Sequence, residues 1–311
     1  MTDSLVLEQV VKRFGDTLAV DRLDFRVGEG EVFGFLGGNG AGKTTSLRMI
    51  LDIIRPDGGR IEVLGRPPGR AHARDIGFLP EERGLYRSMT AIDTIVYFAR
   101  LKGMTPADAR ARGIALLDRF GLARNDRTTV DKLSKGMAQK VQLATAIVNE
   151  PRLLILDEPF SGLDPVNQGL LEEEIRRAAA GGTTVVFSTH VMQHAERLCE
   201  RLLLLARGRK LFEGTQEEAR AHIPARLSLI TRADPSRLPG VEAAAERERL
   251  TDGWTAWDVH LSSGIDPGDV LERCFTNGFP LRRFEQHRPG LHDVFVHIVG
   301  AGKPSSGKVH A

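Results

Sequence analysis

Gly37-Gly38-Asn39-Gly40-Ala41-Gly42-Lys43-Thr44 is the stretch that decides the fold of this chain. It matches the pattern of a phosphate-binding loop, G-x-x-x-x-G-K-[ST], which joins a β-strand to an α-helix. An apolar run at 32–36 precedes the loop, and apolar residues at helical spacing continue from 44 to 54. The sequence therefore predicts a strand, a phosphate-binding turn and a helix, in that order.

The chemistry of such a loop explains its residue types. Glycines let the backbone curl, so that successive N–H groups point at phosphate oxygens, and the helix N-terminus favours the anion. We expect Lys43 to reach the β- and γ-phosphates of ATP and the Thr44 hydroxyl to ligate Mg²⁺. A glycine-rich turn can match by chance, but the flanking strand and helix disfavour that interpretation. The predicted ATP-binding residues here are Gly37, Gly38, Asn39, Gly40, Ala41, Gly42, Lys43, Thr44 and Thr45.

Two acidic residues follow a second buried-strand pattern. The run Leu-Leu-Ile-Leu at 153–156 leads into Asp157-Glu158, and ligands bind at this carboxyl edge in open α/β sheets. We expect Asp157 to hold Mg²⁺ and Glu158 to polarise the attacking water as a general base. Alone, such a pair can be solvated or cap a helix. Beside a phosphate-binding loop, catalysis is the favoured interpretation.

The first part of the chain alternates apolar strands with helical patterns, which is typical of an α/β fold with a mainly parallel sheet. Residues 90–120 are expected to be purely helical, with helix starts at Thr90 and at Thr105-Pro106 and an end at Gly121. We expect a domain at 1–222, with a helical subdomain at about 88–150.

A small α+β domain is expected at 223–301, with a disordered tail at 302–311. Thr215 and Glu218 predict a capping box on a short helix before it. Residues 257–261 alternate as in a strand, and 291–298 carry a helical apolar stripe. One further helix face is predicted from Val270, Leu271, Cys274 and Phe275.

Composition excludes several classes of protein. Lys and Arg number 43 against 41 Asp and Glu, a net charge of +2, which gives no reason to expect a nucleic-acid partner. The two cysteines, Cys199 and Cys274, form no ligand pattern and fit a reducing compartment. The N-terminus does not resemble a signal peptide, and no stretch predicts a membrane helix, which needs about 20 apolar residues. A membrane role would therefore need a partner.

Four further motifs resemble those of the ATPase subunits of ABC transporters. Leu133-Ser134-Lys135-Gly136-Met137 is similar to the signature loop, commonly Leu-Ser-Gly-Gly-Gln, and Ser161-Gly162-Leu163-Asp164 is similar to the D-loop. Ser188-Thr189-His190 matches the switch histidine, and Phe14 stands where the family places an aromatic ring against adenine. In order and spacing, the resemblance covers residues 5 to about 220.

The resemblance implies a P-loop NTPase fold of the ABC ATPase type and a dimer. Two copies, most simply identical, would face head to tail with two ATP molecules between them. Ser134 and Gly136 would contact the γ-phosphate on the opposite copy, and Asp164 would lie beside it. His190 would hold Glu158 and the water in line. Anion binding by the signature loop is physically reasonable, because a helix N-terminus favours negative charge.

Three departures from the family pattern affect this expectation. Gly38 replaces a common proline. Glu81 replaces the usual Q-loop glutamine, and its carboxylate is expected to approach ATP and Mg²⁺ while adding negative charge beside phosphate. Lys135 and Met137 alter the signature; Lys135 either strengthens the γ-phosphate contact or faces solvent.

The family docks its membrane subunit around 81–86 and the helices up to 120. Leu85, Tyr86 and Met89 either form exposed apolar contacts there or pack under the helical subdomain, and the sequence leaves both open. The terminal domain, with Leu291-His292-Asp293-Val294-Phe295 near its end, resembles that of exporter-type ATPases in drug-efflux and sodium-efflux systems.

The resemblance thus implies an ATP-hydrolysing subunit, peripheral on the cytoplasmic face of the cell membrane, that drives a separate polytopic permease and exports its substrate. The alternative is a soluble ABC ATPase acting on ribosomes or DNA. Such relatives usually carry a second cassette, a coiled-coil insertion or zinc-binding cysteines, and this sequence shows none of them. A regulatory ATP sensor is disfavoured because Glu158 is intact.

Overall fold

The computed structural model describes residues 2–82 and 84–301, with side chains up to 299. The chain divides into two compact units between Gly214 and Thr215, and the domain boundary expected at 222 and 223 stays a prediction. The short helix before that boundary packs with the last helix of the second unit, and Arg220 Nε donates to the Pro289 carbonyl at 3.2 Å. The expected disordered tail, 302–311, lies outside the described residues.

The first unit contains most of the strands. They are β1 (Asp3–Phe14), β2 (Thr17–Gly28), β3 (Val32–Gly37), β4 (Gly58–Val63), β5 (Ile76–Leu79), β6 (Leu153–Asp157), β7 (Thr184–Thr189), β8 (Arg201–Ala206) and β9 (Arg209–Thr215). Its α-helices are α1 (Lys43–Ile50), α2 (Ala91–Leu101), α3 (Pro106–Arg119), α4 (Lys135–Ile147), α5 (Pro165–Ala180) and α6 (Met192–Leu198). Across the part of the chain that is described, no helix has the length and apolar character to cross a bilayer.

A six-stranded sheet, in the order β5-β6-β7-β3-β8-β9, carries the site of interest. The pairs β5-β6, β6-β7, β7-β3 and β3-β8 are parallel, which confirms the α/β expectation. Register aligns Leu36 with Thr189 and Asp157 with Ser188. Because these strands are parallel, the residues that follow β3, β6 and β7 meet at one edge of the sheet.

A second sheet, β2-β1-β4, is antiparallel and packs its apolar side chains with those of β3. Phe25 stacks on Phe33 with ring centroids 5.7 Å apart. Helix α1 ends at Ile50 instead of continuing to 54, because Asp52 adopts a left-handed φ of 56° and the backbone leaves the helical path.

The helical layer expected at 88–150 contains α2, α3 and α4. Thr90 and Thr105 cap α2 and α3 by accepting from Asp93 and Asp108 backbone N–H groups at 3.1 and 3.2 Å. Gly121, with φ of 70°, follows the end of α3. The predicted helix limits in this region are therefore confirmed.

The second unit is an antiparallel sheet with helices. It comprises α7 (Gln216–Arg220), β10 (Arg226–Thr231), β11 (Val241–Arg249), β12 (Thr255–Leu261), α8 (Pro267–Thr276), β13 (Leu281–His287) and α9 (Leu291–Ala301), with strand order β11-β12-β10-β13. The predicted capping box between Thr215 and Glu218 is present.

The core of the second unit contains Leu227, Leu229, Val259 and Leu261 together with Val270 and Cys274 of α8. Phe275 was predicted to share one helix face with Val270 and Cys274, and that prediction is wrong: its side chain is 74% exposed. Each helical residue is rotated by about 100° from the previous one, so Phe275 turns away from the face on which Cys274 is buried.

We predict that Leu229→Ala destabilises the second unit by about 2–5 kcal/mol, because it leaves a cavity in this core. Phe275→Ala is the control and should change stability by less than about 0.5 kcal/mol. Denaturant unfolding followed by tryptophan fluorescence measures this, since both tryptophans of the chain, Trp254 and Trp257, lie in the second unit. Equal destabilisation by the two variants would contradict the assigned core.

Candidate active site

The loop between β3 and α1 leaves backbone N–H groups for a ligand. Gly42 precedes α1 with φ of 105°, and no side chain caps the helix. A Cβ at Gly42 would lie 2.6 Å from the Ala19 carbonyl oxygen, so the position also requires glycine sterically. The N–H groups of the first helical turn therefore have no side-chain acceptor and can bind an anion.

Lys43 and Glu158 form a buried ion pair beside this loop. Lys43 Nζ lies 3.1 Å from Glu158 Oε1, with side-chain exposures of 5% and 8%. The ammonium also donates to the carbonyls of Gly37 at 2.7 Å and Gly38 at 3.3 Å. Each buried charge thus compensates the other. An anion entering the loop would compete with these oxygens for the ammonium.

The second oxygen of Glu158 is bound by His190. Oε2 lies 2.9 Å from His190 Nδ1 and 3.3 Å from the His190 backbone nitrogen, which donates to it. Oε1 accepts no hydrogen bond of regular geometry from the described residues, although it faces Lys43. Glu158 has a left-handed φ of 47°, a strained backbone conformation that is typical of functional sites. The carboxylate is thus held by His190 through one oxygen and faces Lys43 with the other.

Asp157 and Thr44 supply oxygen atoms suited to a magnesium ion. Thr44 Oγ1 donates to Asp157 Oδ1 at 3.3 Å. Hydroxyl and carboxylate oxygens are the ligands that Mg²⁺ prefers, with water completing its shell. The donor set therefore fits the predicted ion.

Ser188, which the sequence analysis named only as part of the motif around His190, contacts both acidic residues of this centre. It is fully buried, donates to Asp157 Oδ1 at 2.6 Å and accepts from the Glu158 backbone N–H at 3.0 Å. Both acidic residues are thereby fixed by one hydroxyl on the neighbouring strand. A serine that follows an apolar run shortly before His190 was the sequence feature that could have indicated these contacts.

Other predicted residues are distributed around this centre. Asn39 and Gly40 are exposed, Ala41 is buried, and Thr45 in α1 is half-buried. Phe14 is 51% exposed, as an aromatic platform for a ligand should be, and Lys12 Nζ lies 5.4 Å from its ring centroid.

Glu81 is not joined to the magnesium donor set. It is exposed and makes no hydrogen bond or ion pair with any described residue. Gln142 Nε2 instead donates to the carbonyls on either side, Pro80 at 3.4 Å and Glu82 at 3.3 Å. The backbone around Glu81 is anchored, and its role with ATP or Mg²⁺ stays a prediction.

The signature segment begins α4, as predicted. Ser134 caps the helix by accepting from the Met137 backbone N–H at 3.3 Å. A Cβ on Gly136 would lie 2.8 Å from Asn167 Nδ2, so the backbone there approaches α5 closely. Neither Ser134 nor Gly136 forms a hydrogen bond with residues 37–44 among those described.

Asp164 caps α5 by accepting from the Asn167 backbone N–H at 3.0 Å, and this hydrogen bond holds the pKa of its carboxyl below the usual value. The Lys135 ammonium lies directly against Gly162, four residues after Glu158. In this single chain, Lys135 therefore bridges the signature segment and the D-loop.

Comparisons with known proteins agree with this geometry. The family model described as "ABC transporter" matches residues 20–161. An uncharacterized ABC transporter ATP-binding protein of Bacillus subtilis is 41% identical, over 96% of this chain and 99% of the relative. A Nod factor export ATP-binding protein of Burkholderia orbicola is 39% identical, over 94% and 95%.

The fold comparison gives the same family. A solved ATP-binding subunit of an ABC transporter superposes with a TM-score of 0.66 at 31% identity, covering 70% of this chain and 92% of the other. These relatives are transporter components, which confirms the first interpretation of the sequence over the ribosome and DNA alternative. The chain belongs to the ATP-binding subunits of ABC transporters, the family that hydrolyses ATP to power transport.

Proposed function

We propose that Lys43, Thr44, Asp157, Glu158 and His190 bind and hydrolyse MgATP in this chain. The observation that carries the proposal is the position of Glu158, buried between Lys43 on one side and His190 on the other. Lys43 pairs with the β- and γ-phosphates, and Thr44 and Asp157 would hold Mg²⁺, which would supply neutralisation of negative charge on the phosphate oxygens. Asn39, Gly40, Thr45 and the rest of the loop contribute backbone and hydroxyl contacts.

Glu158 is the proposed general base. Its Oε1 accepts a proton from water, whose oxygen attacks the γ-phosphorus while the bond to the β–γ bridging oxygen breaks, giving ADP and phosphate. His190 holds Oε2 and so fixes the direction of the carboxylate. Ser188 fixes Asp157 and the Glu158 backbone. Most of the rate enhancement then comes from positioning and charge stabilisation.

A head-to-tail homodimer completes the proposed site. Ser134 and Gly136 of one copy contact the γ-phosphate bound to the other, and Asp164 lies beside it. The N-terminus of α4 supports this, because its N–H groups and dipole favour an anion. Phe14 stacks on adenine. Glu81 would add a carboxylate beside ATP and Mg²⁺.

We further propose a polytopic permease partner, with this subunit on the cytoplasmic face of the membrane and export as the direction. Relatives named for Nod factor export support the direction. A groove of about 460 Å³, lined by Leu85, Phe98 and Lys102 among others, supports the contact surface.

Aromatic side chains lie beside this groove. Tyr86 is 51% exposed and contacts Tyr97 edge-on, with ring centroids 5.4 Å apart, while Leu85 and Met89 are half-buried. Burial lowers the pKa of Lys102 to about 8, and its ammonium is bound by the Asn149 side chain at 2.8 Å and the Ala146 carbonyl. A partner that supplies apolar side chains and a carboxylate would fit this surface.

We predict that Glu158→Gln keeps ATP binding but lowers the hydrolysis rate by about 10²–10⁴-fold, because an amide cannot accept the proton. ATP should then trap a dimer, detected by light scattering. Glu173→Gln, on an exposed ion pair with Arg177, is the control and should hydrolyse normally. An unchanged rate in Glu158→Gln would remove Glu158 from its role.

We predict that Lys43→Ala weakens ATP binding by about 10–150-fold, the worth of a charge-assisted hydrogen bond of about 1.5–3 kcal/mol. Calorimetric titration of the folded variant measures this. Lys210→Ala, which breaks an exposed pair with Glu213, should bind as the parent does. Normal affinity in Lys43→Ala would contradict the phosphate-binding assignment.

We predict that Tyr86→Ala retains basal ATP hydrolysis but loses most of the permease in affinity purification from detergent-solubilised membranes. Leu211→Ala, an apolar truncation at an exposed position on β9, is the control. Recovery of equal permease with both variants would exclude Tyr86 from the contact.

A further inference from the structure

The second unit contains a cleft that the hydrolysis of ATP does not use. Its volume is about 810 Å³, and it is lined by residues of β10, β12, β13 and α9 and of the segment just before β10. Apolar residues, among them Ile223, Pro224 and Val296, form part of its wall. Every lining residue belongs to the second unit. The cleft is large enough for a small organic ligand.

Basic side chains from three neighbouring strands meet in this cleft. Arg226 of β10 is in register with His260 of β12 on one side and with His287 of β13 on the other. Residues directly opposite each other in a sheet share a face, with Cβ atoms about 4.5–5.5 Å apart. A row of one arginine and two imidazoles therefore crosses the sheet, and all three line the cleft.

Further basic residues continue this row. Arg288 follows β13 directly, His292 and His297 belong to α9, and Arg247 comes from β11. Arg226, Arg247 and Arg288 carry permanent positive charge, which an anion in the cleft would offset.

The two carboxylates of the cleft, Asp258 and Asp293, compensate only part of this charge. Asp258 accepts a hydrogen bond from Ser228 at 3.2 Å and lies 3.9 Å from Arg247. Asp293 accepts from the Gly290 backbone N–H at 3.0 Å. Across residues 2–82 and 84–301, neither Arg226 nor Arg288 has an ion-pair partner. Two guanidinium groups thus line an open cleft without a direct ion pair among the described residues.

We propose that this cleft binds a phosphate group carried by a small organic molecule or a lipid headgroup. Guanidinium groups match the geometry of phosphate oxygens with paired N–H donors, and the imidazoles add further donors. The apolar wall would contact the organic part of the ligand. This site is separate from the ATP site in the first unit and does not depend on the proposed mechanism of hydrolysis.

The test uses the full chain carrying Lys43→Ala, so that the ATP site contributes less to phosphate binding. Pyrophosphate is titrated by calorimetry, and vesicles of phosphatidylglycerol are compared with vesicles of phosphatidylcholine by co-sedimentation. Arg226→Gln and Arg288→Gln are each added to this background. Arg249→Gln, whose guanidinium pairs with Glu246 outside the cleft, is the matched control.

We expect Arg226→Gln and Arg288→Gln each to weaken binding at least tenfold, while Arg249→Gln leaves it unchanged. If pyrophosphate binds and the arginine variants weaken that binding, the ligand is a soluble phosphate compound. If only phosphatidylglycerol vesicles bind in this arginine-dependent way, the ligand is a lipid headgroup. The proposal is overturned if neither probe binds, or if both probes bind equally well to all variants. Arg288 lies outside the strands, so its variant keeps the test valid if Arg226→Gln unfolds the second unit.

Discussion

The ion pair between Lys43 and Glu158 is the interaction on which the rest of the first unit depends. Two charges removed from water are costly unless each finds a partner, and these two lie 3.1 Å apart with little exposure. Only the parallel register of β3, β6 and β7 brings them together from positions 115 residues apart in the sequence. The same register places Ser188 beside Asp157 and His190 beside Glu158. The sheet is therefore the scaffold of the catalytic centre.

This ion pair also suggests how ATP changes the site. Before phosphate arrives, Lys43 neutralises Glu158 and is bound by loop carbonyls. A phosphate in the loop offers the ammonium a stronger set of anionic oxygens, which would release Glu158 toward water. The general base would then become fully available only when its substrate is bound. Lys135, lying against Gly162, would couple the signature segment of the same chain to the D-loop that follows this base.

Much of this centre could be predicted because each part rests on a short local pattern. The glycine loop, the acidic pair after a buried strand and the helix caps at Thr90 and Thr105 all depend on neighbours within a few residues. Other features depend on distant contacts and were missed. Ser188 acts through a partner strand, and the place of Lys135 depends on the path of the D-loop. Phe275 looked apolar and helical, yet only the packing of α8 decides which side is buried.

The basic cleft of the second unit was hidden for the same reason. Arg226, His260 and His287 are far apart in sequence, and only strand pairing makes them neighbours. The resemblance of the terminal domain to that of exporter-type ATPases did not reveal it either, because that resemblance implied no ligand-binding residue. In the first unit, the residues of the ATP site lie in short local motifs that a sequence shows. In the second unit, the residues of the basic cleft become neighbours only through strand pairing across long sequence separations, which a sequence does not show.

The most direct test of the account is a structure of the full chain with Mg²⁺ and a non-hydrolysable ATP analogue. The account predicts that Lys43 Nζ leaves Glu158 and binds β- and γ-phosphate oxygens, while Glu158 keeps its contact with His190 and faces the γ-phosphate through a water. A structure with the analogue bound and the ion pair between Lys43 and Glu158 intact would contradict the account.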